Sequence, residues 1–455
     1  MNRRTFLTGA AGAAASALTG RGAQAVRITV DTRRKLGSIP DDFLGLGYEI
    51  SSVAIPGLLS AQNRTYVQLV RAMGSAGVIR IGGNTSDYAS FAPTAPAISA
   101  PKGTVVNSAS LRELGTFLDA TGWKLIWGLN LGSGSEQLAV EESVAVAAAV
   151  KNKLLAFEIG NEPDLFGRRA AHRPDPYTYS DYLKEYRRYK RAIRAKLPDA
   201  PFAGPDAAGA TDWVTRFAAD EGSDLKLLTH HYYRECAGPA STLDKLLHPD
   251  PKLAPELAKL SAASEASRVP YRICETNSFC GGGKPGVSDT LGAALWVLDF
   301  MFRLASAGCA GVNIETGVNQ LGFISSYSPI AADEHGNDSA KPAYYGMLAF
   351  AQGGRGQGIA INYDAGDINL TAYAVIDRKQ QLSVTMINKD TSRDAHVTVA
   401  TTGSFSNAEL SRLSGPSLES KQGITLGDVT SVPSKGGQCE VHVPAASAAI
   451  LRWRL

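Results

Sequence analysis

The chain has 455 residues, 44% of them hydrophobic and 20% charged, which is ordinary for a globular protein and enough for two domains. Its formal net charge is +3, but residues 1–25 carry Arg3, Arg4, Arg21 and no acid. The remainder therefore has 43 basic and 43 acidic groups and a net charge of 0. A neutral chain lacks the overall attraction for polyanions that nucleic-acid-binding proteins use, so nucleic acid is not an expected partner.

The first 25 residues have the pattern of an export signal. Arg3-Arg4 opens an Ala/Gly-rich, weakly apolar stretch, and Ala23-Gln24-Ala25 fits a small-residue cleavage site. The pattern predicts a twin-arginine signal peptide; a disordered basic N-terminus is the alternative. No later stretch approaches the ~20 apolar residues that a membrane span requires. We expect a periplasmic or extracellular protein with no membrane partner.

Residues 41–345 alternate between short apolar runs and longer stretches of helical periodicity, such as Arg64–Ala76, Ala109–Ala120, Tyr179–Leu197 and Thr290–Ala307. Eight runs have the composition of buried strands: Phe43–Ile50, Val78–Ile81, Lys124–Leu129, Leu154–Ile159, Pro201–Ala203, Leu225–Thr229, Tyr271–Cys274 and Gly311–Ile314. This alternation predicts an α/β fold, a (β/α)8 TIM barrel. A doubly wound open sheet would share it, but no GxGxxG motif opens the first helix.

Residues 346–455 have a different sequence pattern, typical of short β-strands. Leu370–Ile376 and Leu382–Asn388 alternate apolar and polar residues around a polar turn, and further short strands follow at Val397–Ala400, Glu440–Val443 and Ala448–Trp453. This pattern predicts a C-terminal antiparallel β-sandwich. Residues 26–40 hold a lone strand, Val26–Val30, with no helix of its own, and we expect this strand to pack with the sandwich.

Polar residues follow the predicted barrel strands, at the ends that converge on one site in this fold. They are Glu49, Asn84, Asp87, Asn130, Asn161, Glu162, Asp206, the run His230-His231-Tyr232-Tyr233, Glu275 and Glu315. A satisfied polar residue at a strand end explains any one of them, Asp206 included. It does not explain eight such ends together.

Two of these residues, Glu162 and Glu275, end two buried strands, so their carboxylates can face each other across a cleft. Paired carboxylates are what cleavage of a glycosidic bond requires: one protonates the leaving oxygen and the other attacks or stabilises the anomeric carbon. Pro163 holds the turn after Glu162 rigid. Tyr232 or Tyr233 could donate to Glu275 and give the two acids different environments.

The five cysteines are too few for a disulfide scaffold and lack CxxC spacing. Cys274 and Cys309 have core-like surroundings, where a free thiol acts as a small apolar group. Cys236 and Cys280 both follow strand ends, and a bridge between them is a hypothesis.

These segments resemble glycoside hydrolase family 79, which includes heparanase and bacterial β-glucuronidases. Residues 160–163 (Gly-Asn-Glu-Pro) look like the acid/base segment, and residues 275–278 with Gly281-Gly282-Gly283 look like the nucleophile segment. Residues 230–233 and 80–83 resemble two further segments. The Asn-Glu-Pro motif alone indicates only the larger clan of barrels with two catalytic glutamates. The glycine triplet after Glu275 narrows the resemblance from that clan to family 79. Cys280 departs from the family, which often has tyrosine there, so the contact to a neighbouring sugar is open.

The resemblance implies a role for each matching residue. Glu162 would be the acid/base and Glu275 the nucleophile of a retaining hydrolase that needs no cofactor and no metal. The implied substrate-binding residues are Asn161 at the 2-hydroxyl, Tyr232 touching Glu275, the N–H groups of Gly281 and Gly282 with the Tyr327 hydroxyl on the uronate carboxylate, and Glu49, Asn84 and Asp87 along the hydroxyl edge.

The implied function is hydrolysis of β-linked glucuronic acid in a glucuronide or a glucuronic acid-containing glycan. The neutral charge favours an exo-acting β-glucuronidase over the alternative, an endo-β-glucuronidase that cleaves heparan sulfate-type chains. A catalytically inactive carbohydrate-binding protein is a second class. A third is a metal-dependent hydrolase using His230 and His231, which a strand would point to opposite faces. We expect a bell-shaped pH profile with an acidic optimum.

Overall fold

The computed structural model describes residues 24–168, 172–317, 324–333, 335–402 and 408–454. The predicted export signal, residues 1–25, lies outside the described residues except for its last two positions. No helix within the described ranges is long and apolar enough to cross a membrane.

Eight parallel strands form a closed barrel, which confirms the predicted fold class. Numbered one to eight along the chain, they are Leu44–Glu49, Val78–Gly82, Lys124–Leu129, Leu154–Ile159, Ala203–Ala207, Leu227–Tyr232, Tyr271–Thr276 and Val312–Glu315. Their order in the sheet is four, three, two, one, eight, seven, six, five. A parallel bridge between Phe157 and Phe202 joins strands four and five and closes the ring.

The helices that follow the strands cover the outside of the barrel. They are α1 (Arg64–Ala72), α2 (Ser108–Thr121), α3 (Glu136–Val150), α4 (Tyr179–Arg194), α5 (Thr211–Glu221), α6 (Leu243–Leu247), α7 (Leu253–Ser267), α8 (Leu291–Ser306) and α9 (Pro342–Gly353). Helix α4 shows why they form: the Thr178 side chain and Asp181 make a reciprocal capping box at its start. Its buried residues then recur every three or four positions, which places them on one face toward the barrel.

The inside of the barrel is layered. Small and branched apolar residues form one buried cluster: Val78, Ile126, Ala156, Ala203, Leu227 and Cys274. Further along the same strands the inward residues become charged, with Arg80, Glu158, Asp206 and Glu275 all buried. The barrel therefore holds a layer of ionisable side chains near the carboxyl ends of its strands, where the site is expected.

A second sheet domain follows. Its longer strands are Gly356–Tyr363, Leu370–Ile376, Gln381–Asn388, Ala395–Thr401, Ala408–Ser414, Gln438–Val443 and Ser447–Arg454. The N-terminal strand, Gln24–Ile39, joins this sheet, antiparallel to Gly356–Tyr363 and parallel to Ala395–Thr401. The domain is therefore a mixed sheet rather than a purely antiparallel one. The expected boundary at residue 345 falls inside α9, because Pro342 begins a helix that continues to Gly353.

Barrel and sandwich are joined by a buried ion pair. Asp299 on α8 accepts from Lys389 at 2.6 Å, Thr371 at 2.7 Å and Tyr373 at 2.8 Å, all three on the sheet domain. Burial raises the pKa of Asp299, but Lys389 and Arg303 outweigh it and lower the pKa to about 2. The carboxylate therefore stays charged and pairs the two domains across the physiological pH range.

Glu142 on α3 predicts a pH dependence of stability that is independent of the site. Its carboxyl is fully buried and accepts the Trp127 indole N–H at 3.0 Å, and burial raises its pKa to about 7. Because the pKa of Glu142 is higher in the folded than in the unfolded protein, its contribution to the free energy of unfolding is full below the unfolded pKa of ~4.3 and is lost as pH rises through about 7. In the wild type this loss should amount to about 3 kcal/mol, and it should be absent in Glu142→Gln. The measurement is denaturant unfolding at mildly acid and mildly basic pH.

The neighbouring exposed residue provides the control for this measurement. Glu141 is exposed on the same helix, so Glu141→Gln should keep the wild-type pH dependence. Equal slopes for the wild type and Glu142→Gln would contradict the prediction.

Candidate active site

Glu162 follows barrel strand four in a strained conformation. Its φ of 51° and ψ of 49° lie in the left-handed region, which few non-glycine residues adopt. Pro163 begins a 3-10 turn immediately afterwards, and the Glu162 N–H donates to the Asp206 carbonyl at 3.0 Å. Strain of this kind persists only where the surroundings enforce it, and it clusters at functional sites. Twelve per cent of the Glu162 side chain remains exposed.

Glu275 lies near the end of strand seven, where Arg80 holds it. Arg80 is completely buried and its Nη1 donates to Glu275 Oε2 at 2.8 Å. The Tyr233 hydroxyl donates to the other oxygen at 3.2 Å. Seven per cent of the Glu275 side chain is exposed, so the carboxylate is fixed by two donors while a ligand can still reach it.

Arg80 organises the rest of the charged layer. Its Nη2 donates to Asn161 Oδ1 at 2.8 Å and to the Asp206 carboxylate, and its Nε donates to Glu158 at 3.3 Å. Burial alone lowers the pKa of Arg80, but Asp206, Glu158 and Glu275 outweigh burial and raise it. One guanidinium therefore ties barrel strands four, five and seven together at the level of the site.

His231 bridges the two glutamates. Its Nε2 lies 2.8 Å from Asp206 Oδ1, and its Nδ1 lies 3.3 Å from Glu162 Oε1 and 3.8 Å from Glu275 Oε2. Burial lowers the pKa of His231, but Asp206, Glu275 and Glu162 around it raise the pKa well above 6.5. The raised pKa favours the imidazolium form of His231, in which both ring nitrogens are donors.

The separation of the two carboxylates decides what they can do. One ligand atom each of Glu162, His231 and Glu275 lie within 4.8 Å of one another. Retaining glycosidases keep their two carboxyl groups about 5–5.5 Å apart, whereas inverting enzymes need about 6.5–9.5 Å to admit a water. The spacing observed between Glu162 and Glu275 suits a double displacement.

Tyr232 does not touch Glu275, which corrects the contact implied by the family resemblance. Its ring stacks on Phe300 of α8, with centroids 5.7 Å apart, and its hydroxyl donates to Asp250 at 2.5 Å. Consecutive strand residues point to opposite faces, so Tyr232 faces the helices and Tyr233 faces the barrel axis. Tyr233 therefore makes the contact to Glu275, and its hydroxyl also hydrogen-bonds Tyr327.

The residues expected along the sugar's hydroxyl edge hold loops in place. Glu49 accepts the N–H of Asn84 at 3.1 Å and of Thr85 at 2.7 Å. A Cβ at Gly83, whose φ is +71°, would overlap the Glu49 carboxylate, so glycine is required there. Asp87 accepts three backbone N–H groups, from Leu131, Gly132 and Asn161. Glu49 and Asp87 are almost fully buried, whereas Asn84 is partly exposed.

Both of these carboxyls are harder to ionise than usual. Burial, followed by the charge of Glu275, raises the pKa of Glu49 to about 7 despite the three hydrogen bonds from Asn84 and Thr85. Burial likewise raises the pKa of Asp87 to about 7 against its three backbone donors. The edge of the site is therefore largely uncharged in mildly acid solution.

The glycine triplet lies beside Tyr327. Gly281, Gly282 and Gly283 have φ values of 76°, 89° and 78°. Residues with a side chain rarely adopt three positive φ values in succession. The Gly282 carbonyl accepts the Ser326 N–H at 2.8 Å, which places the triplet next to Tyr327. Within the described ranges, the N–H groups of Gly281 and Gly282 donate to no other residue, so both can serve an anion.

The structure adds two residues that the sequence analysis did not name as candidates, Arg80 and Glu158. It also places in or beside the site four residues that were listed there only as polar residues at strand ends: Asp206, His231, Tyr233 and Glu315. Burial, followed by Glu275 and Glu49, raises the pKa of Glu315 well above 4.5 and so favours its neutral form. All of these except Arg80 lie within one residue of the end of a strand, and that position is the signal that points to them; Arg80 is the middle residue of strand two.

The histidine pair is not a chelate. Both ring nitrogens of His231 face carboxylates, with Nε2 2.8 Å from Asp206 Oδ1 and Nδ1 3.3 Å from Glu162 Oε1. His230 lies on the opposite face of its strand, as alternation requires. The described residues therefore fit acid–base chemistry between two glutamates better than metal chemistry at His230 and His231.

Comparisons with known proteins place the chain among glucuronidases. No family model matches it. A β-glucuronidase of Aspergillus niger is 29% identical over 405 residues, covering 77% of this chain and 73% of that protein. One of Neurospora crassa is 27% identical over 373 residues, covering 72% and 66%. The chain is thus similar to β-glucuronidases over most of its length, in agreement with the resemblance to glycoside hydrolase family 79.

A heparanase matches a smaller part of the chain, and a solved glucuronidase structure matches nearly all of it at lower identity. The heparanase of Bos taurus is 26% identical over 254 residues, and the match covers 53% of this chain and 44% of that protein. The solved structure of a 4-O-α-L-rhamnosyl-β-D-glucuronidase from Fusarium oxysporum superposes with a TM-score of 0.75 at 20% identity, covering 93% of this chain and 99% of that one. At that identity the likeness supports the fold alone, a barrel followed by a sheet domain.

Proposed function

We propose that the protein is a retaining, exo-acting β-glucuronidase of family 79, with Glu162 as acid/base and Glu275 as nucleophile. The observation that carries the proposal is the close approach of these two carboxylates around His231, within 4.8 Å. Their positions at the ends of barrel strands four and seven, and the two fungal β-glucuronidases among the relatives, support it.

In the first step Glu275 attacks the anomeric carbon while Glu162 protonates the leaving oxygen. Arg80 and Tyr233 each donate to Glu275 from fixed positions, so the nucleophile is oriented before substrate arrives. Asn161 is anchored through its Oδ1 on Arg80 and its N–H on Asp87. Its Nδ2 donates to no described residue and can therefore reach the sugar 2-hydroxyl.

In the second step Glu162 is ionised and takes a proton from the water that cleaves the glycosyl–enzyme ester. His231 Nδ1 lies 3.3 Å from Glu162 Oε1 and carries a proton, so it stabilises the ionised glutamate. Asp206 on the other side of the ring keeps His231 charged. The Asp206–His231 pair is therefore a positioning device for the acid/base.

Recognition of the uronate carboxylate falls to the glycine triplet. Two N–H groups, of Gly281 and Gly282, with the Tyr327 hydroxyl nearby would bind the anion without a full positive charge. Tyr327 is buried and hydrogen-bonded to Tyr233, which links the carboxylate site to the nucleophile. Exo action on small glucuronides is supported by the neutral net charge; an endo-β-glucuronidase acting on heparan sulfate-type chains is the alternative.

A substrate comparison tests the proposal. Purified protein should hydrolyse 4-nitrophenyl β-D-glucuronide and release free glucuronate from short glucuronides, with little action on 4-nitrophenyl β-D-glucoside. Shortening of heparan sulfate without release of glucuronate would establish the endo alternative. Binding of glucuronides without turnover would support an inactive carbohydrate-binding protein instead.

Activity should have an acidic optimum. Ionisation of Glu49, whose pKa is raised to about 7, adds a negative charge beside Glu275 and near the bound uronate. We expect kcat/KM for the glucuronide to fall as pH rises through about 7, measured from about pH 4 to 8. Glu142→Gln is the control and should show the same fall in kcat/KM as the wild type. The Glu142 carboxyl also has a pKa of about 7 but lies outside the site, so its ionisation should not affect the rate. A flat profile would contradict the assignment.

We also propose export by the twin-arginine pathway to the periplasm or exterior. The support is the Arg3-Arg4 pattern with its cleavage site and a disulfide between Cys236 and Cys280, since disulfides persist in oxidising compartments. Replacing both arginines with lysine should retain the protein in the cytoplasm. Unchanged fractionation of that variant would refute the proposal.

A further inference from the structure

We propose that the Cys236–Cys280 disulfide is a specificity-determining clamp that shapes the uronate site of this enzyme. The inference rests on the proposed function and extends it to two residues that take no part in the chemistry. The structure confirms the bridge hypothesised from the sequence, with Cα atoms 4.2 Å apart, while Cys274, Cys309 and Cys439 are free and buried.

The bridge lies immediately before the anion site. Cys280 directly precedes Gly281, the first of the three left-handed glycines. Cys236 follows barrel strand six by four residues, so the bond ties the loop after strand six to the loop after strand seven. Two loops that would otherwise move separately are joined one residue from the N–H groups that would bind the uronate.

Backbone hydrogen bonds reinforce the bond on both sides. The Cys280 N–H donates to the Glu235 carbonyl and the Ala237 N–H donates to the Cys280 carbonyl, both at 3.0 Å. These two bonds form a short parallel bridge that fixes the direction of the chain entering Gly281. Lys284 then donates to the Gly238 carbonyl at 2.9 Å, so the triplet is held to the neighbouring loop at both ends.

The opposite side of the triplet is also fixed. Ser326 donates its N–H and its hydroxyl to the Gly282 carbonyl, at 2.8 and 2.9 Å. The triplet is therefore stretched between the disulfide and the segment that carries Tyr327. Glycine has the largest conformational freedom of any residue, so three in succession would not hold two N–H groups on one anion without such anchors.

Loss of the bond should therefore affect binding of the charged sugar more than the chemistry at Glu162 and Glu275. The clamp touches neither glutamate, so kcat should stay within about twofold. KM for the glucuronide should rise about tenfold or more. The N–H groups of the triplet would bind a charged carboxylate, and hydrogen bonds to a charged group contribute more binding energy than those between neutral groups. A neutral glucoside has no carboxylate there, so its KM should not change.

The experiment compares wild type with Cys236→Ser/Cys280→Ser on 4-nitrophenyl β-D-glucuronide and 4-nitrophenyl β-D-glucoside. Cys439→Ser, at a free cysteine of the sheet domain, is the matched control and should keep wild-type constants. The double variant should lose selectivity through KM alone. A fall in kcat at unchanged KM marks a merely structural bond and overturns the clamp, as does full retention of selectivity.

Gly281→Ala keeps the test decisive if the double variant does not fold. A Cβ at Gly281 meets no atom within 4 Å, so this substitution acts only through the strain of a φ of +76°. It should reproduce the rise in KM with the disulfide intact; an unchanged KM overturns the inference. A wild type that shows no preference for the glucuronide overturns the proposed function, whereas a preference that survives loss of the bond overturns only the clamp.

Discussion

Glu275→Gln is expected to lower kcat for 4-nitrophenyl β-D-glucuronide by about 10⁴-fold or more, because it removes the nucleophile of a double displacement. The amide is nearly the same size, so the fold should persist. Arg80 Nη1 still meets an oxygen if the amide is oriented toward it. The measurement is steady-state hydrolysis, with a thermal melt to confirm that the variant is folded.

Glu162→Gln separates the two roles. Loss of acid/base catalysis costs about 10²–10⁴-fold, and less for a good leaving group that needs little protonation. Added azide should restore turnover in both variants but with opposite products. Glu162→Gln should give the β-glucuronosyl azide through the covalent intermediate. Glu275→Gln should give the α-glucuronosyl azide, because azide then displaces 4-nitrophenolate directly with a single inversion. The reverse pattern would exchange the two assignments.

Arg80→Met is expected to be the most damaging substitution away from the two glutamates. It leaves Glu158, Asp206 and Glu275 buried without their shared cation. Removing one partner of a buried ion pair costs about 3–5 kcal/mol, and here three carboxylates lose the same partner. We expect a large drop in the unfolding free energy together with loss of activity, measured by denaturant unfolding and hydrolysis.

Arg80→Lys distinguishes charge from geometry. Lysine keeps the positive charge but cannot direct donors at Asn161, Asp206, Glu158 and Glu275 together. The variant should recover part of the stability and little of kcat. Arg188→Lys, at a half-exposed surface ion pair with Glu136, is the control and should match the wild type. Full activity in Arg80→Lys would mean that Arg80 acts only as a countercharge.

Much of the barrel follows from the sequence. Strands three and four, Lys124–Leu129 and Leu154–Ile159, begin and end where their apolar runs do. Strands six and seven continue further, to Tyr232 and Thr276. The added residues include His231 and Glu275, which are polar, point inward and meet charged partners there. A prediction from hydrophobicity stops the strand at such polar residues, because the sequence does not show that side chains from other strands will pair with them.

The same limit explains what was missed in the site. The two glutamates stood out because each follows an apolar run with strand-like composition, and because Pro163 makes the turn after Glu162 rigid. Arg80 and Asp206 are each ambiguous alone, and only the closed barrel brings them, with His231, within hydrogen-bonding distance. Tyr232 and Tyr233 are adjacent, so a one-residue difference in strand phase decides which of them meets Glu275.

The central claim is that Glu162 and Glu275 cleave a β-glucuronide by double displacement. The most direct measurement is proton NMR of the wild-type enzyme hydrolysing 4-nitrophenyl β-D-glucuronide, recorded before the free sugar mutarotates. We expect β-glucuronic acid to be released first and the signal of the α anomer to grow in later. First release of α-glucuronic acid, or no hydrolysis of the glucuronide at all, would contradict it.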